Sequence, residues 1–256
     1  MKKRIKQSFD LGSVTYDKYN DVQKKVGLFL VDFFLKSFSK KQNPNFYDNP
    51  ISLVDLGSGT GEFSQNIISN FLINRIRLID ISNEMIKCSK KKIKGKKVEF
   101  IVCDFDKYFE FKEFNMIVSN MALHWSLNIN KLLENIISNM SVGSFFLFSV
   151  PNSNSFSNFK KLVPNNITNN FFNDLPGKNM MLYLRNNKNI YFGSKNIKIF
   201  RNYLHPLNFL KEMRKLGVNI KINNKHSSLF FLKKIDNKEF FLDYDITLCL
   251  IKKNET

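Results

Sequence analysis

Leu53-Val54-Asp55-Leu56-Gly57-Ser58-Gly59-Thr60-Gly61-Glu62-Phe63 is the stretch whose reading decides the fold. An apolar run reaches Asp55, glycines then occupy every second position, and a helix-forming segment starts at Glu62. A strand that enters a tight glycine turn and leaves it as a helix builds a nucleotide-binding crevice at the strand's carboxyl end. The spacing is G-x-G-x-G, whereas a dinucleotide binder places its third glycine one position later, where this chain has Glu62. A carboxylate at that helix start repels pyrophosphate. It suits S-adenosylmethionine (SAM), which has no phosphate and carries a cationic amino group.

The next acidic residues fall in an order that extends this reading. Gly57 and Gly59, with Ser58 between them, let the backbone approach a ligand where a Cβ would intrude. Asp80 closes the second predicted strand and can accept both ribose hydroxyls, as an acidic residue does at this point of a dinucleotide site. Asp104 ends the third strand, where it can accept the adenine amino group while Phe105 flanks the ring. The fourth strand runs into Asn120-Met121-Ala122-Leu123-His124-Trp125, at the place to which the methyl group of SAM would point. His124 and Trp125 are therefore candidate substrate-positioning residues, or else pack under the helix that follows.

Around these motifs the periodicity alternates between strand and helix. Strands are predicted at 51–56, 77–81, 98–103, 115–119 and 144–150, with helices at 62–71, 84–92 and 127–140. This rhythm implies an α/β fold with a doubly wound, mainly parallel sheet. Before it, apolar positions from Asp17 to Ser37 recur at helical spacing, and Lys40 to Pro50 is a polar linker. After Val150 the rhythm breaks into an Asn-, Ser- and Phe-rich segment, 151–203, read as short helices and a lid. A helix at 206–216 and two closing strands at 229–234 and 245–251 complete the chain. The expectation is one domain over 1–256: an N-terminal cap (1–40), a SAM-binding half (41–150), a lid insertion (151–203) and a C-terminal helix with closing strands (204–256).

The charge of +18 invites a nucleic-acid reading, but only six of the 40 basic residues are Arg, the better reader of phosphates and base edges. Lys, Asn, Ile and Phe are raised together, as an AT-rich coding sequence would give, and a positive surface still attracts acidic partners. Three cysteines without pairing or metal spacing point to a reducing compartment and to no metal site. The basic opening Met1-Lys2-Lys3-Arg4 is not followed by the apolar core of a signal peptide, and no apolar run is long enough to span a membrane. A cytoplasmic location is expected.

Leu53–Gly61, Asp80-Ile81-Ser82 with Met85, Asp104 and the segment from Asn120 resemble the motifs of class I SAM-dependent methyltransferases over 51–150. Within that class, Phe9–Gln23, Ser119–Trp125, Phe148-Ser149, Ser155-Phe156 and Asn202-Tyr203-Leu204 resemble the malonyl-acyl carrier protein O-methyltransferases of biotin synthesis. Leu11 stands where that family usually has Arg, His124 where it often has Gln, and Cys103 where it has Gly. The resemblance implies a Rossmann-like, mainly parallel seven-stranded sheet with helices on both faces, an N-terminal cap helix and a lid insertion. It implies a cofactor site of Tyr16, Asp55, Gly57, Ser58, Gly59, Asp80, Ile81, Met85, Asp104, Phe105 and Asn120, with Tyr16 closing over SAM. The implied reaction is methyl transfer to the free carboxylate of a malonyl thioester. That nucleophile is already ionised at neutral pH, with a pKa of about 3–4, so no general base is required. Tyr16, His124, Trp125 and Arg201 are the candidate substrate positioners; Arg201 can pair with a carboxylate or sit at the surface. The implied partner is an acidic acyl carrier protein, drawn to lysines around the lid. The rival readings are a methyltransferase for another small carboxylic acid or a protein side chain, and a SAM-fold assembly factor without activity.

Overall fold

The computed structural model describes residues 1–41, 43–95, 97–162, 178–218 and 240–254. Its centre is a seven-stranded sheet of β1 (Ile51–Leu56), β2 (Ile73–Asp80), β3 (Val98–Val102), β4 (Met116–Asn120), β5 (Phe145–Pro151), β6 (Ile190–Tyr203) and β7 (Phe240–Lys253). Their order is β3-β2-β1-β4-β5-β7-β6, parallel from β3 to β5, with β7 antiparallel to both neighbours. The chain reverses direction across the sheet between β1 and β4, and this switch point opens a crevice at the carboxyl ends of the strands.

Both faces of the sheet are buried, as a parallel sheet requires. One face packs Leu53, Leu78, Val118 and Leu147 against the helices α3 (Asp21–Ser37), α5 (Glu62–Asn70) and α10 (Pro206–Lys215). The opposite face packs Val54, Leu56, Ile79, Ile117 and Phe146 against α7 (Ile129–Asn139) and α9 (Lys178–Asn186). The remaining helices are α1 (Lys2–Gly12), α2 (Tyr16–Tyr19), α4 (Pro44–Asp48), α6 (Asn83–Lys92) and α8 (Ser157–Leu162).

Three expectations change. The helix predicted from Asp17 onward breaks at Asn20 (φ −87°, ψ 26°) into α2 and α3, and α1, for which the sequence reading had no element, precedes them. The lid assigned to 151–203 loses its last part to the sheet, because residues 190–203 form β6, the edge strand paired along its whole length with β7. One-sided burial with Lys and Asn outward gives such an edge strand a weak hydrophobic pattern. The closing strand expected at 245–251 is longer, spans 240–253 and pairs with both β5 and β6, and the other expected closing strand, 229–234, lies outside the described residues. Beyond Pro151, residues 198–203 of β6 and 240–245 of β7 continue as a two-stranded ribbon on the crevice side.

Candidate active site

The glycine turn has the backbone its sequence demands. Gly57 and Gly59 both lie in the left-handed region, at φ 71° and 55°. A Cβ on Gly57 would stand 2.5 Å from the Cβ of Ala122, so β1 and the segment after β4 meet there without room for a side chain. A Cβ on Gly59 would meet nothing within 4 Å, because Gly59 faces a cavity. Asp80 braces the turn from β2: one carboxylate oxygen accepts the Gly59 N–H at 2.9 Å and the other the Ser82 N–H at 2.8 Å. Each oxygen keeps a further lone pair for a ligand hydroxyl.

The cavity, of about 300 Å³, lies between the glycine turn, α2, α3 and α5, at the small end of the range for ligand pockets. Tyr16, Asp55, Gly57, Ser58, Gly59 and Asn120 line it, as the sequence reading expects. Asn20, Gln23, Gly27, Thr60, Glu62 and Phe63 line it as well, and the sequence reading missed these as site residues. The usable signal was the pair Gln23 and Gly27, four apart on an otherwise apolar helix stripe. Gly27 lets α3 come close, since a Cβ there would stand 2.8 Å from the Phe63 ring. Asn120 fixes this contact: its amide donates to the Gln23 carbonyl at 2.9 Å and accepts from Ser149 Oγ at 2.7 Å.

Among the described residues, three buried oxygens of this lining have no hydrogen-bond partner: Asn20 Oδ1, Gln23 Oε1 and Ser58 Oγ. Buried polar atoms left unpaired are costly, so a group of them around one cavity marks a place for a polar ligand. The two amide oxygens are acceptors, and Asp55 stands beside them with one oxygen held by Ser64 Oγ at 2.5 Å. Acceptors and a carboxylate suit a cationic amino group, and Asp80 suits vicinal hydroxyls. The residues present fit SAM.

Burial pushes the Asp55 carboxyl up to about 7, with the Ser64 hydrogen bond opposing the rise and the Asp80 charge adding to it. Burial likewise pushes Asp80 up to about 6 against its two backbone donors. Burial, together with the charges of Asp80, Asp17, Glu62 and Asp55, holds the Tyr16 hydroxyl well above its ordinary value, so it stays protonated. A carboxyl whose folded pKa exceeds its unfolded value favours the fold in its protonated form. That contribution is complete below the unfolded value of 3.8 and is lost as pH rises through 6 to 7. The melting temperature of the ligand-free protein therefore falls between about pH 4 and 7 on account of these two groups. A cationic ligand pairs with the ionised form, so SAM affinity rises by up to about tenfold per pH unit below the Asp55 value of about 7 and levels off above it. Calorimetry and thermal melting across this range check both signs, and Asp55→Asn flattens both curves.

Glu62 plays a different part from the one its position suggests. Its carboxylate pairs with Lys24 at 3.6 Å and Lys92 at 3.2 Å, so its charge is largely balanced within the protein. Lys92 also reaches Asp17 at 2.7 Å, and Asp17 accepts from Thr60 Oγ1 at 2.6 Å, which ties α2 to the glycine turn.

Asp80, Ile81, Met85, Asp104 and Phe105 do not line the cavity, and Asp80 reaches it only through the Gly59 N–H that it accepts. Ile81 is half-buried, and Met85 is buried in α6. At Asp104 the site is closed by the chain itself. The Lys2 ammonium lies 2.9 Å from Asp104, 2.8 Å from Asp106 and 4.7 Å from the centre of the Phe105 ring. It occupies the place that the sequence reading gives to the adenine amino group. A ligand that needs this place must displace Lys2, which lowers its apparent affinity. An ion pair and a cation–π contact of this kind are worth about 1 kcal/mol together. Lys2→Met is thus expected to bind SAM several-fold more tightly by calorimetry; weaker binding would make Lys2 part of the bound site instead.

His124, Trp125 and Arg201 are not brought to the cavity either. Trp125 packs edge-on against Phe9 of α1 (centroids 5.5 Å apart) and stands 5.2 Å from the His124 ring, so both lie beneath the cap. Burial lowers the His124 pKa to about 4, which leaves a neutral and weakly basic ring. Arg201 is neither a surface residue nor a free carboxylate binder. It bridges Glu212 of α10 at 3.2 Å and Asp21 of α3 at 3.5 Å, bracing the cap against β6. Among the described residues, no helix is long and apolar enough to cross a membrane.

A family model described as a methyltransferase domain matches residues 48–203, more than half of the chain, and spans the glycine turn, Asp80 and Asn120. The chain belongs to this methyltransferase family. Its sequence is 28% identical over 87% of its length to malonyl-[acyl-carrier protein] O-methyltransferase 2 of Ilyobacter polytropus, covering 83% of that protein. It is 33% identical over 58% of its length to malonyl-[acyl-carrier protein] O-methyltransferase 1 of the same organism, and there it spans only about half (52%) of the relative. Among solved structures it is similar to the plantazolicin methyltransferase BamL bound to a triazolic desmethylPZN analogue and SAH (TM-score 0.60, 16% identity, 99% of this chain and 97% of that one). It is also similar to the YcgJ protein of Bacillus subtilis (TM-score 0.58, 11% identity, 81% and 93%). At these identities the structural likeness speaks for the fold, a class I methyltransferase fold.

Proposed function

We propose that this chain esterifies the free carboxylate of a malonyl thioester carried on an acyl carrier protein, with SAM as the donor, at an early step of biotin synthesis. The observation that carries the reading is the similarity over 87% of the chain to a malonyl-[acyl-carrier protein] O-methyltransferase. When bound, SAM supplies an electrophilic methyl group. Asp55, with Asn20 and Gln23, holds its amino group, and Asp80 takes the ribose hydroxyls. Tyr16, protonated and half-buried, covers the site from α2, and Asn120 fixes the distance between α3 and β4.

The residues of the site also suit a nucleophile that needs no activation. A malonyl carboxylate is ionised at neutral pH. His124, the imidazole nearest this region in the chain, is held neutral at about 4 and is too weakly basic to serve as a general base. The protein's task is then to desolvate the carboxylate and hold it in line with the methyl group.

The test is a methyl-transfer assay with SAM and three acceptors: malonyl-carrier protein, malonyl-CoA and RNA. Methyl ester formed on the malonyl thioester is the expected result. Transfer to RNA without ester formation overturns the reading. SAM binding with transfer to none of the three points to another small acid, a protein side chain or an assembly role.

A further inference from the structure

Leu11 and Val14 are 83% and 89% exposed, yet they flank one of the tightest contacts in the cap. Between them, a Cβ on Gly12 would stand 2.5 Å from the Gly217 nitrogen, and Thr15 Oγ1 donates to the Lys215 carbonyl at 2.7 Å. This contact fixes the two aliphatic side chains in water beside the end of α10, where Arg214 and Lys215 are exposed. The Lys215 ammonium donates to the Tyr19 hydroxyl at 2.6 Å. That bond, together with the fields of Lys215 and neighbouring Lys18, holds the Tyr19 hydroxyl below its ordinary pKa. On α1 the exposed positions Arg4, Gln7 and Leu11 recur at intervals of three and four, so Arg4 shares the face of Leu11.

The carboxylates of this region are engaged elsewhere. Asp10 is held by Lys6 and Ser82, Asp17 by Thr60 and Lys92, and Asp21 and Glu212 by Arg201. The result is an apolar centre ringed by cations on the outer side of the cap, next to α2, whose Tyr16 lines the cavity. A phosphate backbone has no use for the apolar centre. A membrane surface asks for a longer apolar face than two side chains.

We propose that Leu11 and Val14, with Arg4, Lys18, Arg214 and Lys215, form the docking surface for an acidic carrier protein, which presents carboxylates around an apolar residue and delivers its thioester past α2. This deepens the functional reading above and rests on it. It also moves the docking face from the lysines of the 151–203 segment, where the sequence reading expects it, to the junction of cap and α10.

The test compares wild type with Lys18→Glu/Arg214→Glu and with Leu11→Ser/Val14→Ser, using malonyl-carrier protein and malonyl-CoA as substrates. The charge reversal should raise KM for the carrier substrate at least tenfold, and the polar pair should raise it several-fold. KM for malonyl-CoA, SAM affinity and melting temperature should be unchanged in both. An unchanged carrier KM, or equal losses on the two thioesters, overturns the surface. Binding of an RNA oligonucleotide or of anionic vesicles that disappears on charge reversal, with the carrier KM intact, overturns the choice of partner. A wild type that esterifies neither thioester removes the functional reading, and anisotropy of a labelled carrier then decides the surface separately. Carrier binding lost in the charge reversal supports it, and absence of binding by the wild type overturns it.

Discussion

Valine in place of Gly57 is expected to abolish SAM binding and to lower the melting temperature of a protein that still folds. Two costs combine at this position. A β-branched residue at φ 71° is a backbone outlier worth about 1–3 kcal/mol. The added Cβ also falls 2.5 Å from the Cβ of Ala122, so the turn must move relative to the segment after β4. Since Gly57, Ser58 and Gly59 all line the cavity, that movement displaces the ligand-facing backbone, and affinity should drop at least about a hundredfold, ~3 kcal/mol. Gly59→Ala separates the two effects. Its Cβ meets no protein atom, so only the left-handed strain of about 1–2 kcal/mol enters stability. The same methyl group intrudes into the cavity and should weaken SAM about tenfold. Thermal melting and calorimetry on both variants check the pair; a Gly57→Val protein that binds SAM like wild type would remove the glycine turn from the site.

Asp80→Asn should lower SAM affinity by about 10- to 100-fold, the worth of a charge-assisted hydrogen bond lost from a buried site. Stability should respond in a way that an ordinary structural carboxylate would not. Because burial raises the Asp80 pKa to about 6, the ionised form works against the ligand-free fold at pH 8. Neutralising it relieves that cost, while the amide keeps only one of the two oxygens that accept the Gly59 and Ser82 N–H groups. The two changes offset, so the ligand-free melting temperature at pH 8 should stay within a few degrees of wild type while binding collapses. A large drop in melting temperature with SAM affinity preserved would make Asp80 a brace for the turn and nothing more.

The legible part of the fold follows from local chemistry. The alternation from Ile51 to Val150 reports strands buried on both faces and helices with one apolar stripe, and such patterns are written in consecutive residues. The glycines are equally local, because a left-handed φ and a missing Cβ are properties of single positions. β6 and α1 escaped for the opposite reason. An edge strand buries one side only, and α1 is a polar helix with only Ile5 and Gly12 buried, so neither carries a strong period.

The site was legible up to the point where distant elements meet. Asp55, the glycine turn and Asn120 line one cavity, and motif order places them at strand ends. His124, Trp125 and Arg201 lie away from that cavity, because proximity in the chain to a strand end, or a charge of suitable sign, does not say which neighbour a side chain meets. Trp125 meets Phe9, and Arg201 meets Asp21 and Glu212.

The sequence by itself determined that this chain builds a nucleotide crevice for a cationic, phosphate-free ligand, since the glycine spacing and the order of acidic strand ends are local facts. The tertiary structure alone decided how that crevice is closed. Lys2 sits on Asp104 from 102 residues away, Gly12 abuts Gly217, and orphaned oxygens from α3 and the glycine turn gather around one cavity. Contacts of this kind depend on where the packed core places whole helices, which no window of neighbouring residues encodes.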